Sequence, residues 1–285
     1  MVILGGAGML GTELATAFGG PDGCAAATVA LGRAECDVTS ALSLRAAFVE
    51  HRPDVVVNAA AVTDVDAAEA DEATAYAVNA DGVANVVAAA DAVGARVVQI
   101  STDYVFDGAK GRPYVEDDTP NPLSVYGASK LAGERAVRSG DTVVRTSWLL
   151  GLRGRNVLTA ALAAAEEGLP SAHVTDQVGH PSFAADVARV VAQVVEYEGE
   201  GVFHATNSGP ASRYEVAREA VRVCGGDTSL VRPITADEID PPRAAVRPSY
   251  SVLANRVLAR ADYDLAPDWR ESLWTCLAGR ERAAA

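Results

Sequence analysis

A phenol and an ammonium four positions apart, Tyr126 and Lys130 in the run YGASK, stand out as a candidate acid and its partner. If Tyr126 opens a helix, the two groups lie on one face. A fixed cation nearby favours the phenolate, so Lys130 would make Tyr126 a stronger acid near neutral pH. Just upstream, Val97, Val98 and Ile100 form an apolar run that ends in Ser101-Thr102. The Thr102 hydroxyl, at the carboxyl end of that strand, could reach the same carbonyl that the phenol protonates. Y-x-x-x-K also arises by accident on helix surfaces, so the pattern needs a scaffold that brings it a substrate.

That scaffold begins at the amino terminus. Val2 to Leu4 feeds Gly5, Gly8 and Gly11, and helical apolar spacing follows at Leu10, Leu14 and Phe18. Strand, glycine turn and helix in this order present backbone N–H groups and a helix N-terminus to a pyrophosphate. The second strand, Thr28 to Leu31, leads into Gly32-Arg33, where an NAD site would place an acid for the ribose hydroxyls. No carboxylate stands at that position and Arg33 could pair with a 2′-phosphate, so NADPH is favoured, with NADH the alternative. Arg33 also reads as an ordinary surface arginine. Asp37 and Val38 could line an adenine pocket, the carboxylate accepting from the exocyclic amine. Asp54 to Val57 is a buried strand ending in Asn58-Ala59-Ala60-Ala61, whose small side chains leave room for a cofactor.

Helical patterns at 40–50, 66–77 and 79–93 alternate with these strands and with one at 96–100. The fold class expected is therefore α/β, a doubly wound parallel sheet with its strand ends on one edge. After a strand at Thr142 to Arg145 the chain becomes less regular. The reading is a dinucleotide-binding part over 1–150, with 181–204 returning to it, and a small substrate lobe from 151–180 and 205–285. Helix 186–197 carries an i, i+3, i+4 apolar stripe that is core packing. Ser212-x-x-Glu215 is a capping box opening a helix that Gly225-Gly226 ends.

The bulk properties set outer limits. With 285 residues, 49% hydrophobic and 22% charged, the chain can bury a sizeable core. A formal net charge of −14 repels phosphate backbones and anionic lipid, so neither a nucleic-acid polymer nor a membrane is expected as partner. An anionic small substrate would need local cations; Arg247 and Arg153 are the candidates, each equally readable as a surface residue. Cys24, Cys36, Cys224 and Cys276 show neither C-x-x-C nor disulfide spacing, and His51, His173, His180 and His204 no ligand spacing. No metal is implied. With no basic n-region, cleavable apolar segment or span-length apolar run, a cytoplasmic location is expected.

Taken together, the glycine turn, NAAA, STDYVF, YGASK, RTSW, DQVGHPS and RPSYSVL resemble the dTDP-4-dehydrorhamnose reductase family of extended short-chain dehydrogenase/reductases, through essentially the whole chain. The resemblance implies a Rossmann-type fold with a small C-terminal substrate-binding lobe and reduction of the C4 ketone of dTDP-4-dehydro-L-rhamnose to dTDP-L-rhamnose. It makes Tyr126 the proton donor, Lys130 its partner and ribose ligand, and Thr102 the hydroxyl that tunes Tyr126. It places Gly8, Met9 and Leu10 at the pyrophosphate, Asp37 and Val38 at the adenine, and Ala61, Val62 and Thr63 at the middle of the cofactor. Val65, Asp103, Tyr104 and Trp148 would face the sugar, and a homodimer or a monomer is expected. Some members bind magnesium at a dimer contact, through carboxylates that cannot be placed in this sequence.

Related dehydratases carry Thr-Asp-Glu where this chain has Thr102-Asp103-Tyr104, so dehydration lacks its base. A related 4-ketoreductase of antibiotic deoxysugar synthesis is the nearer alternative. A regulatory subunit like that of methionine adenosyltransferase, binding NADP without turnover, is a third, and the intact Thr102, Tyr126 and Lys130 set argues against it.

Overall fold

The computed structural model describes residues 1–19 and 27–284; Cys24 lies outside the described residues. The chain opens with β1 (Val2–Leu4), α1 (Met9–Gly19), β2 (Val29–Leu31), α2 (Ala41–His51) and β3 (Val55–Asn58). There follow α3 (Val65–Ala70), α4 (Glu72–Tyr76), a π-helical turn (Ala77–Asp81), α5 (Gly82–Asp91) and β4 (Arg96–Thr102). After α6 (Val125–Arg135) and β5 (Thr142–Thr146) come β6 (Leu149–Leu150), α7 (Val157–Glu166), β7 (Ser171–Val174), β8 (Val178–Gly179) and β9 (Ser182–Phe183). The rest is α8 (Ala184–Glu196), β10 (Gly201–His204), β11 (Ala211–Ser212), α9 (Arg213–Val223), β12 (Val231–Ile234), α10 (Arg256–Arg260) and α11 (Trp269–Ala284).

Among the described residues the large sheet has six parallel strands in the order β10-β5-β4-β3-β1-β2. Both faces are covered, which is why its strands read as continuous apolar runs. Side chains of a strand alternate between faces. Accordingly Ile3 packs with Leu14 and Phe18 of α1 and the valine stripe of α8, while Val2 and Leu4 pack with Phe48 of α2 and Val86 of α5. Full burial of a Leu or Phe contributes about 1.5–3 kcal/mol, so these two layers hold the sheet.

β1 sends its chain to β2 on one side while β3 pairs on the other, so the strand order reverses between β1 and β3. Doubly wound sheets take ligands at such a switch point, outside the carboxyl ends of the strands. A separate buried cluster outside the sheet joins Leu158, Phe183, Val216, Trp269 and Leu273. It ties α7, α9 and α11 together.

Two departures from the sequence expectations matter for function. The helix expected over 66–77 is split, because the Asp71 side chain accepts from Thr74 N and starts a new helix, and the break expected before 79 is instead a π turn, Ala77–Asp81, that runs on into α5. β4 continues past Ile100 to Thr102, whose Oγ1 then caps the 3₁₀ turn Asp103–Val105 by accepting from Tyr104 N. No described helix is long and apolar enough to cross a membrane.

Candidate active site

Two cavities meet at the switch point and share Gly8, Ala59 and Ala61. One, of about 390 Å³, is lined by Gly5, Arg33, Asp37, Val38, Ala60 and Val62. The other, of about 420 Å³, takes in Met9, Leu10, Gly11, Thr63 and Val65, then Thr102, Asp103, Tyr104, Tyr126, Lys130 and Trp148. Every residue expected at the site except Arg247 and Arg153 thus lines one continuous trough.

The fit to a dinucleotide rests on backbone approach. A Cβ on Gly11 would lie 2.2 Å from Gly5 O, and one on Gly5, whose φ is +76°, would lie 2.7 Å from Ala60 N. Only glycines let β1, α1 and the end of β3 close to this distance. The resulting turn aims the N-terminus of an 11-residue helix into the trough, the arrangement that suits a pyrophosphate.

At the outer end Arg33 is largely solvent-exposed, its Nε 3.4 Å from Asp37 Oδ2. Asp37 Oδ1 accepts from Thr39 N and Thr39 Oγ1, and these bonds, ahead of Arg33, hold its carboxyl below the usual range. The fold also supplies what position 32 lacks. Glu35 Oε2 accepts from Gly32 N at 2.7 Å, so a carboxylate does stand at the end of β2, beside Arg33. The premise that no acid approaches this point is corrected by that three-residue turn.

At the inner end α6 carries both Tyr126 and Lys130, capped by Ser124 Oγ, which accepts from Gly127 N. The helix seats closely: a Cβ on Gly127 would lie 2.1 Å from Tyr104 O. Tyr126 is buried, its ring edge-on to Tyr104 with centroids 5.6 Å apart, and Thr102 lines the same cavity. Lys130 Nζ donates to Ile100 O at 2.7 Å. One turn further on, Glu134 accepts from Ser101 Oγ at 2.5 Å and is forked by Arg145 at 2.9 and 2.7 Å. Removing either partner of such a buried pair costs about 3–5 kcal/mol, which makes it a rigid floor beneath the lysine.

The electrostatics correct one expectation. Burial raises the Tyr126 pKa above its ordinary value; the Thr102 hydroxyl opposes this, while Asp103 and Tyr104 add to it. Lys130 is not among the groups that lower it. Its own pKa is pushed down to about 8 by burial, with the Glu134 carboxylate acting in the other direction. At both positions desolvation of the charged form by burial is the largest influence.

Arg247 does not line the cleft. It forks onto Asp66 at 3.0 and 2.6 Å, which with burial as the opposing influence holds that carboxyl down at about 2. Arg153 opens on a neighbouring cavity beside Glu13 and Arg189. Besides Lys130, Arg155 and Arg213 are the cations that line the inner cavity among the described residues. Arg213 stacks its guanidinium 4.4 Å from the Trp148 ring centroid, and its buried Nε has no hydrogen-bond partner among the described residues. Trp148 sits at φ +41° with Gly179 directly behind its ring, where a Cβ would be 2.7 Å from Trp148 Cε2.

Asn79 was also outside the sequence reading. From the π turn it bonds Val62 N at 2.9 Å, Val62 O at 3.1 Å and Ser129 Oγ at 3.1 Å, joining the trough's wall to the helix of Tyr126. An asparagine inside an alanine-rich helical pattern was the available signal. π turns concentrate at functional sites. Among the described residues no group of His, Cys, Asp and Glu is placed to hold a metal ion.

Comparison with known proteins agrees with this geometry. The family model described as the RmlD substrate binding domain matches residues 1–281. A dTDP-4-dehydrorhamnose reductase of Streptomyces griseus is 41% identical over 281 residues, covering 95% of this chain and 91% of that protein. A dTDP-4-keto-6-deoxy-D-glucose reductase of Streptomyces niveus is 36% identical, covering 95% and 94%. The crystal structure of dTDP-4-dehydrorhamnose reductase from Bacillus anthracis in complex with NADP superposes with a TM-score of 0.92 at 32% identity, covering 98% of each chain. The chain belongs to the dTDP-4-dehydrorhamnose reductase family.

Proposed function

We propose that this protein is an NADPH-dependent reductase that converts the C4 ketone of dTDP-4-dehydro-L-rhamnose to the alcohol of dTDP-L-rhamnose. The observation that carries the reading is the continuous trough from Arg33 to Trp148 with Tyr126 and Thr102 at its inner end. NADPH, when bound, supplies the hydride. The chain's own work is to hold the ketone oxygen against Tyr126, which gives its proton to the developing alkoxide. Positioned acid catalysis of this kind contributes about 10²- to 10⁴-fold. Lys130, whose Nζ donates to Ile100 O, is assigned the binding of the ribose and the offer of positive charge to the phenolate left behind. Arg213 and Arg155 face the cleft as candidates for the sugar nucleotide's diphosphate, a role expected earlier of Arg247 and Arg153.

Tyr104 stands where a dehydratase needs a base, and the neighbouring Asp103 carboxylate has both oxygens engaged, by Thr102 and Ser251. A second reading, a 4-ketoreductase for another dTDP-4-keto-6-deoxy sugar, is favoured by the name of the Streptomyces niveus relative. The two-part division at residues 151–180 and 205–285 belongs to the proposal, supported by the separate cluster around Trp269 and by β10 on the edge of the sheet. So does a cytoplasmic location.

The test is NADPH oxidation with enzymatically made dTDP-4-dehydrorhamnose. Wild type should turn over, and Tyr126→Phe should lose about 10²-fold or more in kcat while still binding NADPH. Equal rates would remove Tyr126 from the mechanism.

A further inference from the structure

The short helix α3 carries two carboxylates, and each binds a different part of the molecule. Asp66 and Glu69 stand three residues apart, the spacing of neighbours on a helix surface. Asp66 Oδ1 accepts from Ala245 N at 3.0 Å as well as from Arg247 Nη1, which also donates to Ala245 O at 3.0 Å. The strap of chain around Arg247 is therefore pinned to α3 through backbone and side chain together. Farther along, the same strap is sewn down by Ser251 N donating to Val178 O at 2.9 Å and Tyr114 N donating to Val252 O at 2.8 Å.

Glu69 binds the helix of the proposed proton donor. Its Oε1 accepts from Val125 N at 2.8 Å. Val125 is the first residue of α6, and the first N–H groups of a helix have no partner within it. Ser124 Oγ satisfies one of them, Gly127 N, from the adjoining chain, and Glu69 satisfies another from a separate element. Tyr126 follows directly. Its ring packs in one buried cluster with Ala68, Ala75 and Tyr104, and Val65 and Val125 lie against that cluster. α3 thus holds both the backbone that leads into Tyr126 and the ring itself.

We infer that Glu69 is a positioning residue for the reduction: through the Val125 N–H it sets where the first turn of α6 holds the Tyr126 phenol, and through Asp66 the same short helix makes that position depend on the strap at Arg247. Glu69 lines neither cavity of the trough, so its effect reaches the ketone only through Tyr126. Proton donation needs the phenol within about 3 Å of the developing alkoxide, and a misplacement of about 1 Å costs on the order of 10²-fold. A docked strap holds the acid in place, and a loosened one lets the first turn of α6 fray. The inference rests on the ketoreductase reading of this site.

The test measures kcat per NADPH-binding site, KM for dTDP-4-dehydrorhamnose, NADPH affinity and the solvent deuterium isotope effect on kcat. The proteins are wild type, Glu69→Ala, Glu69→Gln, Arg247→Met and the double variant Glu69→Ala with Arg247→Met. Glu69→Ala should lower kcat about 10- to 100-fold and raise the isotope effect, because proton transfer from a displaced phenol becomes limiting, while KM and NADPH affinity stay within about threefold. Loss of folded protein alone would leave both the isotope effect and the kcat per binding site unchanged. Glu69→Gln, which keeps the acceptor oxygen, should bring kcat back to within about threefold of wild type. Arg247→Met should lower kcat by about three- to tenfold and add little in the Glu69→Ala background, since both act through α3. Glu69→Leu replaces the alanine variant if that one does not fold. A wild-type kcat in Glu69→Ala, an unchanged isotope effect, an equal loss in Glu69→Gln, a loss confined to KM or fully additive losses in the double variant would overturn the inference and leave the ketoreductase reading standing. Absence of wild-type turnover would overturn both.

Discussion

The two ends of the trough are built in different ways. Around Arg33 the polar contacts are local, with Glu35 bonding Gly32, Thr39 bonding Asp37 and Arg33 meeting Asp37 within a few residues along the chain. Around Tyr126 they join distant segments: Asp103 to Ser251 across 148 positions and Arg247 to Asp66 across 181. The outer end is an exposed turn that one substitution can retune without disturbing the rest. The inner end exists only when the segments beyond Leu150 have docked on the sheet. Cofactor preference is thus adjustable at low cost, whereas sugar recognition is tied to tertiary structure.

That contrast sets an order of expected effects. Arg213→Gln removes the cleft cation that stacks on Trp148, and should raise KM for the sugar nucleotide by about 10- to 100-fold, the range of a charged hydrogen bond, while NADPH affinity stays within twofold. A matching loss in NADPH affinity would show that the two ends are not independent. Gly179→Ala drives a methyl into the back of Trp148, and overpacking of this kind costs about 1–3 kcal/mol, so a loss of about tenfold in sugar kcat/KM is expected with an unaltered cofactor constant. Steady-state kinetics with each substrate varied in turn reads both. The smallest effect belongs to the exposed turn. Arg33→Ser should shift the NADPH-to-NADH ratio of kcat/KM only about three- to tenfold toward NADH, since exposed charges contribute about 0–1 kcal/mol, and Glu35→Gln should shift it the other way. A hundredfold switch from Arg33→Ser would show that the outer end is far more committed than its exposure indicates.

The same contrast explains what could be read before the fold was known. The glycine turn, Asp37-Val38 and the small residues after β3 act through backbone close to them in sequence, so pattern alone located them. Tyr126 and Lys130 were legible because helical periodicity puts them on one face. Arg213 was not, since at the start of α9 it reads as the first residue after a capping box, and only the stacking on Trp148 gives it a role. Arg247 was misassigned for the complementary reason, its partner Asp66 lying far up the chain. The acid strength of Tyr126 was misjudged because spacing reports proximity to Lys130 and says nothing of burial, which dominates here. Glu35 falls between these cases. It is local, but its carboxylate turns back three residues, which a position-by-position motif does not anticipate.

Strand β10 carries a consequence for how the protein acquires its structure. It closes the sheet against β5 in parallel register, Gly201 opposite Thr142 through His204 opposite Arg145, although all of β6 through α8 intervenes. Closing a loop of that length before the pairing rewards it is slow, so late addition of β10 is the expected bottleneck in refolding. A fragment ending near residue 150 would leave β5 as a bare edge, open to pairing with another chain. Dissection of the enzyme into independently expressed halves should therefore give aggregates, and any split or permuted version needs to keep β5 and β10 on the same piece.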